Sequence, residues 1–363
     1  MAFYTPKKIL ETGSIYNMII GERSNGKTYS ILRYALINYI KHGKQLAIVR
    51  RWADDFKGVG GPQYYEALVS NGEVTKLSKG EWNGVRYRGQ RWYLTHTDKD
   101  GEVTQDEKPL AFALPLTAME HTKSTSFPDV TTIVFDEFIT RGNYLPDEFT
   151  VFCNVVSTVV RHRDDVIIFM LANTVNKWAC PYFNEMGLTN VRKMQPGQID
   201  VYQFGDSRLK VAVEYVKPNK QGKPSDVYFA FNNPKLSMIT GGAWEIAVYP
   251  HCPCKYVPKD VLFTYYINFD GEWLRCNIIQ HEKLLFTFVH PQTTQLSEET
   301  LNTALIYSSD FDPRPNYRRK INKPTSDLEK RVAWFYAKDK VFFATNETGE
   351  LMRSYLQWCG KPV

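Results

Sequence analysis

The stretch "IIGERSNGKTYSILRYALINY" constrains this chain more than any other. Gly21, Gly26, Lys27 and Thr28 satisfy G-x-x-x-x-G-K-S/T in full, a pattern that works only between a strand and a helix. Both neighbours are present. "IYNMII" (residues 15–20) is short, apolar and rich in β-branched residues, as a buried strand requires. Behind the loop, Ile31, Leu32, Ala35, Leu36 and Tyr39 recur at helical spacing, and Gly43 stops the run. Such a loop bends its backbone N–H groups toward a phosphate, and the helix N-terminus adds partial positive charge. Gly21, Glu22, Arg23, Ser24, Asn25, Gly26, Lys27 and Thr28 therefore form a candidate cradle for ATP. Lys27 reaches toward the β and γ phosphates and Thr28 toward Mg²⁺. Arg23 is either a contact to the γ-phosphate or the catalytic carboxylate, or a solvated side chain.

A phosphate loop of this kind works with an acid at a second strand end, and "TTIVFDEF" (residues 131–138) offers one. Its apolar run reads as a buried parallel strand, followed by Asp136 and Glu137 where open α/β sheets place their ligands. Asp136 is the candidate Mg²⁺ ligand. Glu137 is the candidate general base that polarises the attacking water. The Asp-Glu pair points to an ATPase with an additional strand, of the RecA or AAA kind. "DVIIFMLANT" (residues 165–174) reads as that strand, with Asn173 at its end as candidate sensor of the lytic water, or else a turn residue. "QLAIVRRW" (residues 45–52) adds a fourth strand whose Arg50 and Arg51 fall near the ligand edge. Parallel strands alternating with helices give an α/β fold.

Composition narrows the class. The chain has 363 residues, 43% of them hydrophobic and 23% charged, ordinary globular usage with room for two domains and a connector. There is no apolar run of about 18 residues and no apolar leader, so the expectation is a cytoplasmic protein that spans no membrane. The six cysteines are scattered, which suits reduced thiols. "HCPC" (residues 251–254) has no matching second pair and makes a weak zinc site. The net charge of +6 permits a polyanionic partner without requiring one.

"GERSNGKT", "AIVRRW", "STSFPDVTTIVFDEF", "STVVRHRDD" and "LANT" occur in one order and spacing. Together they resemble the DNA-packaging ATPases of small short-tailed phages of the phi-twenty-nine type, most densely over residues 15–180. The resemblance implies a homopentameric ring, seated on the portal of a capsid with a prohead RNA, that drives double-stranded DNA inward with ATP in the host cytoplasm. It makes Arg161, the first arginine of "RHR", an arginine finger and Lys123 a second cation acting across subunits. It places residues 54–61 and "TRGNYLPDE" at the DNA-facing pore, with Lys57, Arg141 and Asn143 as candidate contacts. Without the resemblance, Arg161 is equally an ion-paired helix end. The segment 79–107 looks longer here than in relatives. It reads as a hairpin turning at Asp100–Gly101 and has no assigned task.

The pattern weakens between residues 202 and 256. From Leu262 it alternates as three strands, turning at Gly271 and at residues 282–283, followed by helix, helix, strand and helix. This arrangement resembles the ribonuclease-H-like one of terminase nucleases. Asp270 is a candidate metal carboxylate with Asp310, Asp312 or Asp339, yet no clear triad emerges, so nuclease activity is not expected. "RPNYRRKINK" (residues 314–323) carries five cations and no acid. Arg314, Arg318, Arg319 and Lys320 are candidate nucleic-acid contacts, with Tyr317 as a stacking partner, unless they form a solvated face. The expected organisation is an ATPase domain over 1–205, a linker region over 206–255 and a degenerate nuclease-like, nucleic-acid-binding domain over 256–363. The competing functions are a RecA-like helicase or recombinase on single strands, and a nucleotide-binding docking factor without turnover.

Overall fold

Six- and seven-residue apolar runs flanked by amphipathic helices favour parallel strands buried on both faces, and the first half of the chain is built from them. The computed structural model describes residues 4–23, 25–121, 125–140, 144–174, 180–217 and 248–360. The chain divides into two units, Met1–Glu245 and Ile246–Val363. In the first, β1 (Tyr16–Gly21), β2 (Gln45–Arg50), β3 (Gly84–Arg88), β4 (Arg91–Thr97), β5 (Val103–Gln105), β6 (Ala111–Pro115), β7 (Val130–Asp136), β8 (Ile167–Asn173), β9 (Ile199–Gln203) and β10 (Lys210–Tyr215) make one sheet. Its order is β3-β4-β6-β2-β7-β8-β1-β10-β9, with β5 on β4. The six strands from β6 to β10 run parallel; the ribbon β3–β5 and the edge strand β9 are antiparallel.

Helices cover both faces. On one face, Ile31, Leu32 and Leu36 of the helix Lys27–His42 pack with Tyr65 and Leu68 of Gly60–Ser70 and with Val74, against Ile48, Val134 and Phe169 of the sheet. On the other face, Phe152, Val155 and Val159 of the helix Glu148–Val160 join Phe135, Met170, Tyr182 and Phe183.

Two sequence expectations change. The segment 79–107 holds two hairpins rather than one: β3 turns into β4 at Gly89–Gln90 and β4 into β5 around Gly101. Trp92 drives this. It is fully buried among Phe56, Tyr64, Tyr65 and Tyr87, and its indole N–H donates to Gly61 O at 2.8 Å. A buried indole with its polar edge satisfied pins the ribbon to the sheet. The first unit also continues past residue 205, because β10 pairs with β1 from Tyr16 to Ile20. Glu214 disguised that strand. It is buried, and the Tyr4 hydroxyl donates to it at 2.7 Å, so an apparently solvated acid sits inside a sheet. Of the expected linker, residues 218–247 lie outside the described residues. Residues 249–251 pack on the second unit, where Phe343 N donates to Pro250 O at 2.8 Å.

The second unit is a six-stranded sheet of β11 (Val261–Phe269), β12 (Glu272–His281), β13 (Leu284–Pro291), β14 (Ile306–Ser308), β15 (Tyr317–Arg318) and β16 (Val341–Phe343). Its order is β15-β14-β11-β12-β13-β16. β11–β13 form an antiparallel meander, and β14 runs parallel to β11 and β15 to β14. That is the ribonuclease-H-like arrangement, with β16 added parallel to β13.

Trp92→Ala leaves a large cavity, and should destabilise the first unit by about 3–5 kcal/mol. Urea unfolding followed by far-ultraviolet circular dichroism measures this. An unshifted midpoint would mean that the ribbon packs without the indole.

Candidate functional site

Parallel register brings the three strand ends together. Gly21 of β1 lies opposite Asn173 of β8, and Asp136 of β7 opposite Leu171. β8 thus stands between the phosphate loop and the acidic strand, as the additional-strand reading requires. Gly26 caps the helix in the left-handed region, φ +84°, where a side chain would strain the turn. The result is a cleft of about 400 Å³ lined by Arg23, Asn25, Lys27, Thr28, Asp136, Glu137 and Asn173 among others.

Lys27 lies at its centre, only 6% exposed. Its ammonium donates to Glu22 O at 2.7 Å, Gly21 O and Asn25 Oδ1 at 3.2 Å and Asn173 Oδ1 at 3.3 Å. All four are neutral oxygens. Burial pulls the Lys27 pKa down to about 8, partly offset by Asp136 and Glu22. The Asn25 amide donor Nδ2 is also buried and has no partner. A buried cation surrounded by neutral acceptors, with an orphaned donor beside it, fits an anionic oxygen group such as a polyphosphate. The Thr28 hydroxyl donates to Asp136 Oδ1 at 3.2 Å. Hydroxyl and carboxylate side by side, both hard oxygens, fit Mg²⁺. Burial pushes the Asp136 carboxyl up, while Arg50 pulls it back.

Arg50 and Arg51 leave β2 in opposite directions, as consecutive strand residues do. Arg50 enters the cleft: its guanidinium lies 2.9 Å from Glu137 Oε2, 3.1 Å from Asp55 Oδ2 and 3.7 Å from Asp136 Oδ2. Arg51 enters the opposite core. It grips Glu148 twice at 2.7 Å and donates to the carbonyls of Glu137 at 3.3 Å and Phe138 at 2.9 Å. The Tyr182 hydroxyl and Leu145 N–H complete the Glu148 carboxylate. Glu137 itself has φ +58°, a costly backbone state for a residue with a Cβ, and one that collects at functional sites. The carbonyl that Arg51 holds belongs to that turned residue.

Arg161 stands apart from its own cleft. It follows the helix Glu148–Val160 with φ +40°, and its Nη2 donates to Thr125 O at 3.0 Å. Arg163 is the structural arginine of "RHR". It donates to the carbonyls of Phe127, Pro128, Val130, Val159 and Val160 at 2.7–3.2 Å. Val130 begins β7 and Asp136 ends it, a separation of about 20 Å at 3.3 Å per residue.

Other expected residues are distributed unevenly. Ser24, Lys123, Arg141 and Asn143 lie outside the described residues. Lys57 is exposed and pairs with Asp54 at 2.7 Å. Tyr64 went unnoticed in the sequence, since it shares its helix with apolar residues, yet its hydroxyl donates to Asp136 Oδ2 at 3.4 Å.

In the second unit the basic stretch separates. Arg314 is held by Asp312 at 2.7 and 2.9 Å and lies over the Tyr317 ring, so neither is displayed as expected. Arg318 pairs with Glu329 at 2.8 Å. Arg318, Arg319, Lys320 and Lys323 still line an open pocket of about 520 Å³ floored by Trp358, whose ring faces Arg319 and Lys320. Among the described residues no three candidate nuclease carboxylates group together, although Asp270 and Asp310 follow the neighbouring parallel strands β11 and β14 and the Asp270 N–H donates to Ser309 Oγ at 3.3 Å. Asp270 and Gly271, φ +52° and +78°, form the type I′ turn between β11 and β12. Asp339 precedes β16, and Asp310 follows β14, four strand spacings away in the sheet, about 19 Å. His251 Nδ1 lies 3.1 Å from Phe343 O, and the Cys252 thiol donates to Cys254 O, so two groups of "HCPC" have local partners.

Comparison with known proteins places these features. The family model for podovirus DNA encapsidation proteins (Gp16) matches residues 1–203. The DNA packaging protein of Bacillus phage phi29 is 33% identical over 184 residues, 50% of this chain and 49% of that protein. That of Bacillus phage B103 is 32% identical over 183 residues, 50% of each. The chain spans about half the length of the curated relatives it matches. Among solved structures, the bacteriophage Phi-29 viral genome packaging motor assembly aligns with 98% of this chain and 100% of its own, at TM-score 0.56 and 22% identity. The Phi-28 gp11 DNA packaging motor aligns with 99% of this chain and 98% of its own, at 0.54 and 20%. At these identities the likeness is one of fold.

Two measurements test the site. First, anion binding should restore the Lys27 ammonium. Above pH 8 the free lysine is increasingly neutral, so ADP binding should take up as much as one proton at pH 9 and weaken as pH rises further, by up to tenfold per unit. Calorimetry in two buffers of different ionisation enthalpy measures the uptake, and Lys27→Ala should abolish it. Second, Arg51→Met strands the Glu148 carboxylate and should cost about 3–5 kcal/mol, whereas Arg51→Met/Glu148→Leu should regain most of that. Equal losses in the single and double variants would deny that the pair acts as a unit.

Proposed function

The chain belongs to the podovirus DNA encapsidation protein (Gp16) family, and from that premise we propose that it is the ATP-hydrolysing subunit of a ring motor that translocates double-stranded viral DNA into a preformed capsid. The observation that carries this reading is the cleft itself: a buried Lys27 ammonium among neutral acceptors, beside the Thr28–Asp136 pair. Lys27 and the loop N–H groups would hold the phosphates. Thr28 and Asp136 would hold Mg²⁺, which when bound neutralises phosphate charge. Glu137 is the general base and Asn173, on the strand between, orients the water. An ion-paired carboxylate is a weak base, so Glu137 serves only once its contact with Arg50 opens.

The cation for the γ-phosphate comes from another copy. Arg161 sits by the segment that leads into Val130, at the end of β7 away from Asp136, and serves a neighbouring cleft, which makes a ring of like subunits part of the chemistry. A pentamer on the portal, with prohead RNA, in the host cytoplasm follows the family resemblance. The Trp358 pocket with Arg318, Arg319 and Lys320 is the proposed nucleic-acid contact of the second unit.

The test is complementation. Arg161→Ala keeps its own phosphate loop and Lys27→Ala keeps its arginine. Each alone should hydrolyse ATP at about 10³-fold below wild type or slower. Mixed rings, verified by native mass spectrometry, should recover hydrolysis that neither parent shows. Verified mixed rings that stay inactive at every ratio would reject Arg161 as a trans-acting finger. Wild-type rings without DNA-stimulated ATPase activity would reject the motor.

A further inference from the structure

One charged surface belongs neither to the cleft nor to the C-terminal basic stretch: the outer face of the β3–β4–β5 ribbon. Strand alternation puts Arg86 and Arg88 of β3 on this face with Arg91, Tyr93, Thr95 and Thr97 of β4 and Val103 and Gln105 of β5. Val85, Tyr87, Trp92 and Leu94 point into the core. None of the strand positions on the outer face is acidic, and all three arginines are exposed. Among the described residues, none of the three forms an ion pair. Arg88 and Arg91 stand directly opposite each other, an arrangement that costs stability within one chain. Nothing inside the ribbon offsets that cost.

The position of the face shows what could. Arg91 lies over the Phe112 ring at 5.8 Å, and Phe112 meets Phe127 edge-on at 5.1 Å. Phe127 belongs to the segment gripped by Arg163, and Thr125, two residues earlier, accepts from Arg161. The ribbon arginines and Arg161 therefore share one face of the sheet and one edge, where β6 and β7 begin. If Arg161 enters a neighbouring copy's cleft, that copy's cleft mouth lies against this edge. Its charge is complementary through the phosphates that the proposed function places there; of its own acids, the exposed Glu137 is ion-paired with Arg50 at 2.9 Å.

We propose that the ribbon face forms part of the seam between two copies of the chain, with Arg86, Arg88 and Arg91 meeting the negative mouth of the neighbour's phosphate cleft. The inference rests on the proposed ring with Arg161 in trans. The seam is heterologous, the kind that closes into a ring. Long-range charge at its rim speeds association and is screened by salt.

The test compares full-length wild type with Arg86→Ala/Arg88→Ala/Arg91→Ala and with the corresponding triple lysine variant. ATPase activity is followed against protein concentration at two salt concentrations, and dsDNA and nucleotide affinities are measured on dilute protein. The alanine variant should need at least about tenfold more protein for half-maximal activity and lose most of the salt dependence of assembly. Its nucleotide and dsDNA affinities should be unchanged, and the lysine variant should restore assembly. An alanine variant that assembles like wild type overturns the inference and leaves the arginines as guards of an edge strand. Loss of dsDNA affinity with normal assembly overturns it in favour of a nucleic-acid surface. Wild-type activity independent of concentration overturns the ring and this inference together, whereas a wild type that assembles beside an equally competent variant overturns this inference alone.

Discussion

The placement of β8 between β1 and β7 is the constraint on which the candidate site depends. A parallel sheet aligns strand ends only when hydrogen-bond register is continuous, and here it runs unbroken from Gly21 through Asn173 to Asp136. The spacing of the cleft follows from it. The loop after β1 and the acid after β7 stand two strand spacings apart, about 10 Å. The helix that begins at Lys27 leans across that gap far enough for Thr28 to meet Asp136. Asn173 fills the gap from below and accepts from Lys27. A one-residue slip of β8 would carry Asn173 to the other face and bury an apolar neighbour in the cleft.

The next layer of control comes from two consecutive arginines. Because a strand alternates, Arg50 reaches the cleft carboxylates while Arg51 reaches through to Glu148 on the other face. Arg51 then returns to the backbone of Glu137 and Phe138. One guanidinium thus ties the left-handed turn at the candidate base to the first turn of the helix Glu148–Val160, which ends at Arg161. Buried ion pairs of this sort add little net stability, but they fail badly when half is removed. They are suited to holding a strained backbone in one state.

Motif chemistry and apolar periodicity were legible because they are local. The phosphate loop, the strands at residues 45–50, 130–136 and 167–173, and the acids at 136 and 137 announce themselves within about ten residues each. Contacts across the fold did not. Glu148, Tyr64 and Glu214 belong to no local motif; each is satisfied by a partner remote in sequence. Local charge also misled. Arg314 looked available until Asp312, two residues away, closed on it. Asp270, read as a candidate metal carboxylate, sits in the tight turn after β11, and no group of three candidate ligands forms among the described residues.

The arginines of "RHR" show how geometry divides roles that composition cannot. Both are basic and both follow one helix. Arg163 spends its donors on backbone carbonyls and locks the start of β7, which gives the neighbouring segment from Thr125 a fixed position. Arg161 is exposed, and its Nη2 donates to Thr125 O on that fixed segment at 3.0 Å. A guanidinium set at the surface on a rigid support can meet an incoming anionic group with little reorganisation, which is what stabilising a developing phosphate charge requires. The cleft stands at the other end of β7, so in the proposed ring the phosphate that Arg161 meets is a neighbour's, and hydrolysis on that proposal becomes a property of association rather than of the single fold.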